Sequence, residues 1–371
     1  MNQEFQIAIS FVVFFLLAIG FSVVINGLFI RFSKTLGIRN NEDLNLIRWA
    51  ATTKPSVGGF SFYIVFLLSF TACAFVFRDI DSLFNKELIG LLLASSFGFL
   101  VGLADDAYNT NPLLKFLGQL TCGVILVVSG VVINISDYYT LNSLFTLFWV
   151  IAIMNSINML DNMDGITASV SAIILLTCLV ILSIEGHLFS TYSFLIIGVI
   201  GALGGFMVFN FNPSRIYMGD TGSQFLGVFL SGLGVILLWN FRDVPGPVFQ
   251  IKQFLIPGLV FCIPVIDTTT VVIRRLLRKQ SPFVGGKDHT THHLAYLGLT
   301  DRQVFYALCL VSIFTSAMVC FFVYHRGFFK SETTIILSAY FIVLFSLMQN
   351  FYERGSKRRK EKEKQSKIKV A

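Results

Sequence analysis

The stretch ELIGLLLASSFGFLVGLADD, residues 87–106, carries no charge from Leu88 to Ala104 and then sets two carboxylates, Asp105 and Asp106, side by side. A run of this length is just able to cross a hydrocarbon layer as a helix. Acids beside hydrocarbon are costly and are kept for function. This one stretch therefore sets both the fold class and the search for a site.

The rest of the chain repeats the pattern. Of 371 residues, 55% are hydrophobic and only 13% charged, about half the charge of a soluble domain. Eleven apolar spans are expected, near 7–30, 58–78, 87–104, 113–134, 143–159, 166–184, 191–210, 222–240, 253–275, 303–324 and 332–351, with ten as the alternative count. An all-α polytopic membrane protein follows, because helices satisfy their own backbone in lipid. The first span is not a cleaved signal: MNQEFQ has no positive charge, and basic residues follow the span.

Lysine and arginine set the orientation. With the N-terminus outside, 22 of the 28 fall on inner segments, five of them at 31–57, six at 274–302 and nine after Tyr352. The positive-inside rule then puts the C-terminus in the cytoplasm. The net charge of +7 reports topology. Nucleic-acid binding is disfavoured, because no aromatic platform accompanies the charge. Residues 1–353 read as one membrane domain and 354–371 as a basic disordered tail. The six cysteines stand singly within apolar spans, with no metal-ligand spacing, and read as small core residues.

Polar clusters collect on the inner face. They are KPSVGGF (54–60), the Asp105–Asp106 pair with Asn109 and Lys115, NSINMLDNMDG (155–165), FNPSRIYMGDTGS (211–223) and DHTTHH (288–293). Asn155, Asn158, Asp161 and Asp164 recur every three residues, which places them on one helix face or a tight turn. Capping accounts for one or two such residues, not four. Asp105, Asp106, Asp161, Asp164 and Asp220 then all lie at inner span ends, an oxygen-rich set suited to Mg²⁺. Gly219 and Gly222 flank Asp220, and a helix starting near Gly222 would favour an anion such as phosphate at its N-terminus. His289, His292 and His293 stand among cations and suit an anion better than a transition metal. A transporter would place its acids near mid-membrane in repeated halves, and neither feature is present.

The motifs, in their order over residues 40–300, resemble the polyprenyl-phosphate N-acetylhexosamine-1-phosphate transferases. KPSVGG resembles that family's P-[ST]-x-G-G loop. GLADDAYNTNPLLKFLGQ resembles its DD motif with K-x-x-x-Q (Lys115, Gln119). NSINMLDNMDGIT resembles N-x-x-N-x-x-D-G-x-D-G, and FNFNPSRIYMGDTGSQFLG resembles F-N-x-x-P-x-x-x-x-M-G-D-[TS]-G-S. The resemblance implies transfer of a sugar phosphate, GlcNAc-1-phosphate above all, from a UDP-sugar to undecaprenyl phosphate, with UMP released. It implies Mg²⁺, with Mn²⁺ as the alternative ion, and a multi-pass protein of the bacterial inner membrane with its active site on the cytoplasmic face. A homodimer fits that expectation.

By motif match, Asp105, Asp106, Asp161 and Asp164 would be catalytic and Asp220 with Asp106 would hold the metal. Lys54, Asn109, Lys115, Asn155, Asn158, Asp267, His289, His292 and His293 would bind substrate. Two departures stand out: Asn162 replaces a glycine usual in the third motif, and RWAATTKP lacks a histidine often found there. The spacing D-H-T-T-H-H favours the hexosamine branch over phospho-N-acetylmuramoyl-pentapeptide transfer, the alternative within the family.

Overall fold

The computed structural model describes residues 3–32, 54–77, 85–241, 250–281, 286–325 and 331–370. Residues 48–53, which bear on the missing histidine, lie outside them. Among the described residues the elements are α-helices, one of them extended by a π-helical turn.

In chain order they are α1 (Gln3–Phe32), α2 (Gly59–Val76), α3 (Lys86–Tyr108), α4 (Pro112–Val128), α5 (Tyr139–Leu160), α6 (Ile166–Ile184), α7 (Thr191–Asn210) and α8 (Gly219–Gly234, with a π-helical turn over Val235–Trp239). There follow α9 (Lys252–Val260), α10 (Cys262–Leu277), α11 (Thr290–Tyr296), α12 (Asp301–Tyr324) and α13 (Ser331–Val370). The all-α polytopic architecture expected from the sequence is the one observed. Among the described residues nine helices are long and apolar enough to cross a membrane, or ten if α9 and α10, bent by 87°, are counted as one span. Pro264 explains the bend: it lacks an N–H and its ring crowds the carbonyl four residues back, at Val260.

The seventeen residues of α4 rise only about 25 Å, yet they also connect the two ends of the bundle. Lys115 at its start reaches Asn158 at the end of α5. Past its far end, the Ile133 N–H bonds Thr146 Oγ1 near the start of α5, and the Asn134 N–H bonds Asn240 Oδ1 beyond the π-helical turn. At seventeen residues α4 is a shorter apolar helix, so nine or ten spans, rather than eleven, are long enough among the described residues.

The core is organised around α8, which is buried from Thr221 through Gly234. A helix buried all round needs small residues where its neighbours approach. At Gly102 of α3, a Cβ would run into the Asp220 carbonyl and lie 2.6 Å from Thr221 Cα. Gly59 of α2 lies directly against Gly222. The first turn of α8 is thereby clamped between α2 and α3 at one end of the bundle.

That end also receives the C-terminal ends of α1, α5, α7 and α13. Asn26 near the end of α1 donates to Ser61 Oγ at the start of α2. The N-terminal end of α1 lies at the opposite end of the bundle from the end of α13's apolar span. Through the basic tail, α13 continues helically to Val370. The reason is visible in its burial. Leu344, Met348, Tyr352 and Gly355 are buried at helical spacing, so the packed stripe continues past the apolar span. The cysteines are free thiols, five buried and Cys320 half-buried, as their isolated positions suggested.

Candidate active site

Four helix ends converge on one cation. The Lys115 Nζ, at the start of α4, lies 2.8 Å from Asp105 Oδ2 and 3.3 Å from Asp220 Oδ1, and it donates to Asn158 Oδ1 at 3.4 Å. Asp105 comes from the end of α3, Asn158 from the end of α5 and Asp220 from the first turn of α8. Asn158 Nδ2 donates to Asp220 Oδ1 and to Ser223 Oγ, the latter at 2.9 Å. Asp105 Oδ1 is held by the N–H and hydroxyl of Thr110, at 2.9 and 2.6 Å.

Asp106 faces elsewhere. Its Oδ1 accepts from the Asp220 N–H at 3.1 Å, and its Oδ2 from the N–H and hydroxyl of Thr221 at 2.8 and 2.6 Å. An anion at the N-terminus of α8 is thus this carboxylate, and the helix starts at Gly219 rather than near Gly222. A carboxylate there satisfies orphan N–H groups and the helix dipole together. Gly219 has φ +74°, and a Cβ on it would lie 2.6 Å from both Asp106 Oδ2 and the Ser56 carbonyl. Only glycine fits the approach.

The four residues of the third motif do not form a single stripe toward one ligand. Asn155 lies one turn deeper, in an amide cluster: its Nδ2 donates to Gln119 Oε1 at 2.8 Å, and Gln119 Nε2 donates to Gln224 Oε1 at 3.1 Å. Asn158 joins the acid pair. Asp161 is the C-cap of α5. Burial, and then the negative charges of Asp220, Asp106 and Asp164, push its carboxyl up to about 7. Asp164 turns to a second polar group, accepting from Ser214 N and Oγ at 2.9 and 2.7 Å and from Asn212 at 3.2 Å. Lys54 is there too, donating to Ser214 Oγ at 2.9 Å and lying over the Tyr217 ring at 5.0 Å. The stripe dissolves because the helix ends at Leu160 and the turn after it splays the later positions.

Asn109 proves to be a backbone residue. It is exposed and is the left-handed C-cap of α3, φ 50°, its N–H bonded to the Asp105 carbonyl at 2.8 Å. Asparagine tolerates that conformation.

The histidine motif forms α11. Asp267 of α10, a buried acid, lies 2.9 Å from His289 Nδ1 and accepts from the Thr290 N–H at 2.7 Å. Arg275 clasps Asp288 through two bonds, at 2.9 and 2.7 Å. Burial alone would raise the Asp288 carboxyl, but its bonds and charge contact with Arg275 hold it below the usual range. Thr291 Oγ1 donates to Asn162 Oδ1 at 2.6 Å, so the residue that departs from the family pattern ties the third motif to α11. His293 packs against the Tyr352 ring of α13, centroids 3.9 Å apart. Burial pushes His292 down to about 3 and His293 down to about 4, so both rings are neutral near pH 7.

Thr110, Thr221, Ser223 and Gln224 are parts of this site that sequence reasoning missed. Only their positions within the aspartate motifs signal them.

A metal has a plausible seat. Among the described residues no three His, Cys, Asp or Glu side chains form a closed metal cage. Mg²⁺ characteristically takes one or two carboxylates and completes its shell with water and substrate phosphate. The side-chain oxygens of Asp220, Asp105 and Asn158 gather around the Lys115 ammonium, which bridges the two acids. That set fits Mg²⁺. Asp106 is a poorer donor, because its oxygens are committed to α8.

Comparison with known proteins now bears on the site. The model described as glycosyl transferase family 4 matches residues 88–238, from the start of the opening span through Asp220 and α8. A phospho-N-acetylmuramoyl-pentapeptide-transferase of Streptococcus pneumoniae serotype 2 is 30% identical over 322 residues, covering 80% of this chain and 90% of its own. The chain belongs to glycosyl transferase family 4. A probable undecaprenyl-phosphate N-acetylglucosaminyl 1-phosphate transferase of Bacillus subtilis is 29% identical over 272 residues, 71% of each chain. A decaprenyl-phosphate N-acetylglucosaminephosphotransferase of Mycobacterium leprae is 26% identical over 307 residues, 73% of this chain and 74% of its own. As a family 4 transferase, the chain carries its aspartate motifs within the matched region.

Proposed function

We propose that this protein transfers N-acetylglucosamine-1-phosphate from a UDP-sugar to undecaprenyl phosphate, at the cytoplasmic face of a bacterial inner membrane. The observation that carries the reading is Lys115, bridging Asp105 and Asp220 where four spans end. Two acids held around a cation at a membrane boundary suit the meeting of a lipid phosphate with a charged cytosolic donor.

In the reaction, a phosphate oxygen of the lipid attacks the β-phosphorus of the UDP-sugar. The anhydride bond to the α-phosphate breaks, UMP leaves, and a polyprenyl-diphospho-sugar forms. The lipid phosphate is already anionic, so positioning and charge neutralisation can carry the step. When bound, Mg²⁺ would supply charge neutralisation at the phosphates. Asp220 would hold it, with Asp105 and Asn158 as the neighbouring oxygen donors. Lys115 keeps the two carboxylates in register and offers its ammonium to incoming phosphate. Asp106 fixes the first turn of α8 and so aims Asp220. Lys54, Asp164 and the Ser214 loop form the adjoining wall, suited to the nucleotide. His289, oriented by Asp267, marks the donor side.

The Bacillus and Mycobacterium relatives are named for N-acetylglucosamine phosphate transfer, and the D-H-T-T-H-H spacing supports the same donor. The pneumococcal relative keeps the muramoyl-pentapeptide donor in view. The test supplies purified protein with undecaprenyl phosphate, Mg²⁺ and a panel of UDP-sugars including both donors. UMP release that needs lipid and metal together is expected, fastest with UDP-GlcNAc. UDP as the product would sink the reading; UMP only with the muramoyl donor would shift the chain to the other branch.

A further inference from the structure

The last helix does more than cross the membrane. Past the apolar span of α13, Tyr352 and Gly355 are buried and Arg359 is half-buried, spaced to form one face. That face lies on α11, the histidine helix. The Tyr352 ring lies against His293, centroids 3.9 Å apart and planes tilted by 50°. At Gly355 a Cβ would lie 2.5 Å from the His293 carbonyl oxygen and 2.8 Å from its Cβ, so no larger residue fits without moving the histidine backbone. One helical turn later, two adjacent arginines hold the two ends of α11. Arg358 donates to the Leu297 carbonyl at its C-cap, at 2.5 Å, and Arg359 to the Lys287 carbonyl just before its N-terminus, at 3.2 Å. Arg274 of α10 completes the attachment, bonding Glu353 at 2.7 Å.

We infer that residues 352–359 are a clamp that positions the histidine helix, so that the C-terminal helix sets the affinity for the sugar nucleotide. The inference rests on the donor-side placement of His289 under the proposed function. The clamp touches α11 through His293 and its two ends, while His289 and Thr291 are tied to Asp267 of α10 and to Asn162 after α5. Moving the clamp therefore moves the donor side and leaves the Asp105–Lys115–Asp220 group in place. The residues that form the clamp are positioning residues; none of them touches the acid group.

The test is steady-state kinetics in detergent, varying UDP-GlcNAc and undecaprenyl phosphate separately, for Gly355→Ala and for the double change Arg358→Ala with Arg359→Ala. Gly20→Ala is the control, because its Cβ would meet nothing within 4 Å. The clamp predicts a KM for the UDP-sugar raised five-fold or more in both variants, with the lipid KM near wild type, with the melting temperature of the arginine pair near wild type, and with Arg358→Lys, Arg359→Lys recovering part of the loss. Unchanged donor KM, or equal changes in both KM values, overturns the clamp. If Gly355→Ala fails to fold, the arginine variants, whose side chains lie toward the surface, decide alone. Absence of UMP from the wild-type protein would instead count against the proposed function, and the donor affinity would then be read directly by isothermal titration of UDP-GlcNAc into the same variants, with the same two outcomes.

Discussion

Lys115 holds the two acids of the site together through a single ammonium, 2.8 Å from one and 3.3 Å from the other. Replacing it by Met leaves the carboxylates facing each other without a cation. We predict that Lys115→Met lowers kcat at least a hundred-fold, the scale of losing one charge partner at a reacting phosphate. Part of the loss should be recovered by raising Mg²⁺; a rate unchanged from wild type would remove Lys115 from the mechanism. Asp220→Asn should abolish turnover in a protein with an unaltered melting curve. Asp106→Asn should differ in kind. Its carboxylate caps α8 with three hydrogen bonds, so its loss should also cost about 1–2 kcal/mol of stability. Asp106→Asn with no fall in melting temperature would argue against the capping role.

Individual helices bring further constraints. Between α3 and α8 the closest approach is at Gly102, whose Cβ would run into the backbone around Asp220. Backbone cannot rotate away as a side chain can. Gly102→Ala should therefore cost about 1–3 kcal/mol through overpacking and reduce activity by displacing Asp220. A Gly102→Ala enzyme as stable and active as wild type would mean the two helices are not held this close. At α11, the neutrality of its buried histidines gives a pH prediction. His292 and His293 sit at about 3 and about 4, below their ordinary 6.5. The unfolded chain then binds more protons than the folded one as pH falls below 6.5, so this contribution is complete above that value and is lost on acidification toward 4. The slope is about 1.4 kcal/mol per pH unit for each histidine. Thermal melts from pH 7 to 4.5 should show a falling midpoint that His293→Phe makes shallower; identical pH slopes would refute it.

For the whole molecule, the end of the apolar part of α13 and the site share one end of the bundle, with the start of α1 at the other. If the site is cytoplasmic, as the lysine and arginine bias indicates, a cysteine at exposed Glu361 should react with a membrane-impermeant maleimide only after cells are permeabilised. Labelling in intact cells would invert the topology.

Much of this architecture was legible in the sequence because membrane helices announce themselves by local composition. Seventeen uncharged residues before Asp105 specify a span whatever surrounds them. The gathering of Asp105, Lys115, Asn158 and Asp220 was legible as a set of motifs at span ends. Their division of labour was not, because it depends on which neighbour each side chain meets. Asp105 and Asp106 are adjacent in sequence, yet about 100° apart around α3, so one faces Lys115 and the other the backbone of α8. Asn155 sank into an amide layer and Asn109 proved to be a turn. The segment from 354 reads as a basic tail because it is highly charged; three-and-four spacing from Tyr352 brings Gly355 and Arg359 onto α11. Composition fixes what can cross a membrane. Only packing fixes which helix faces which, because that is settled by contacts between residues far apart in the chain.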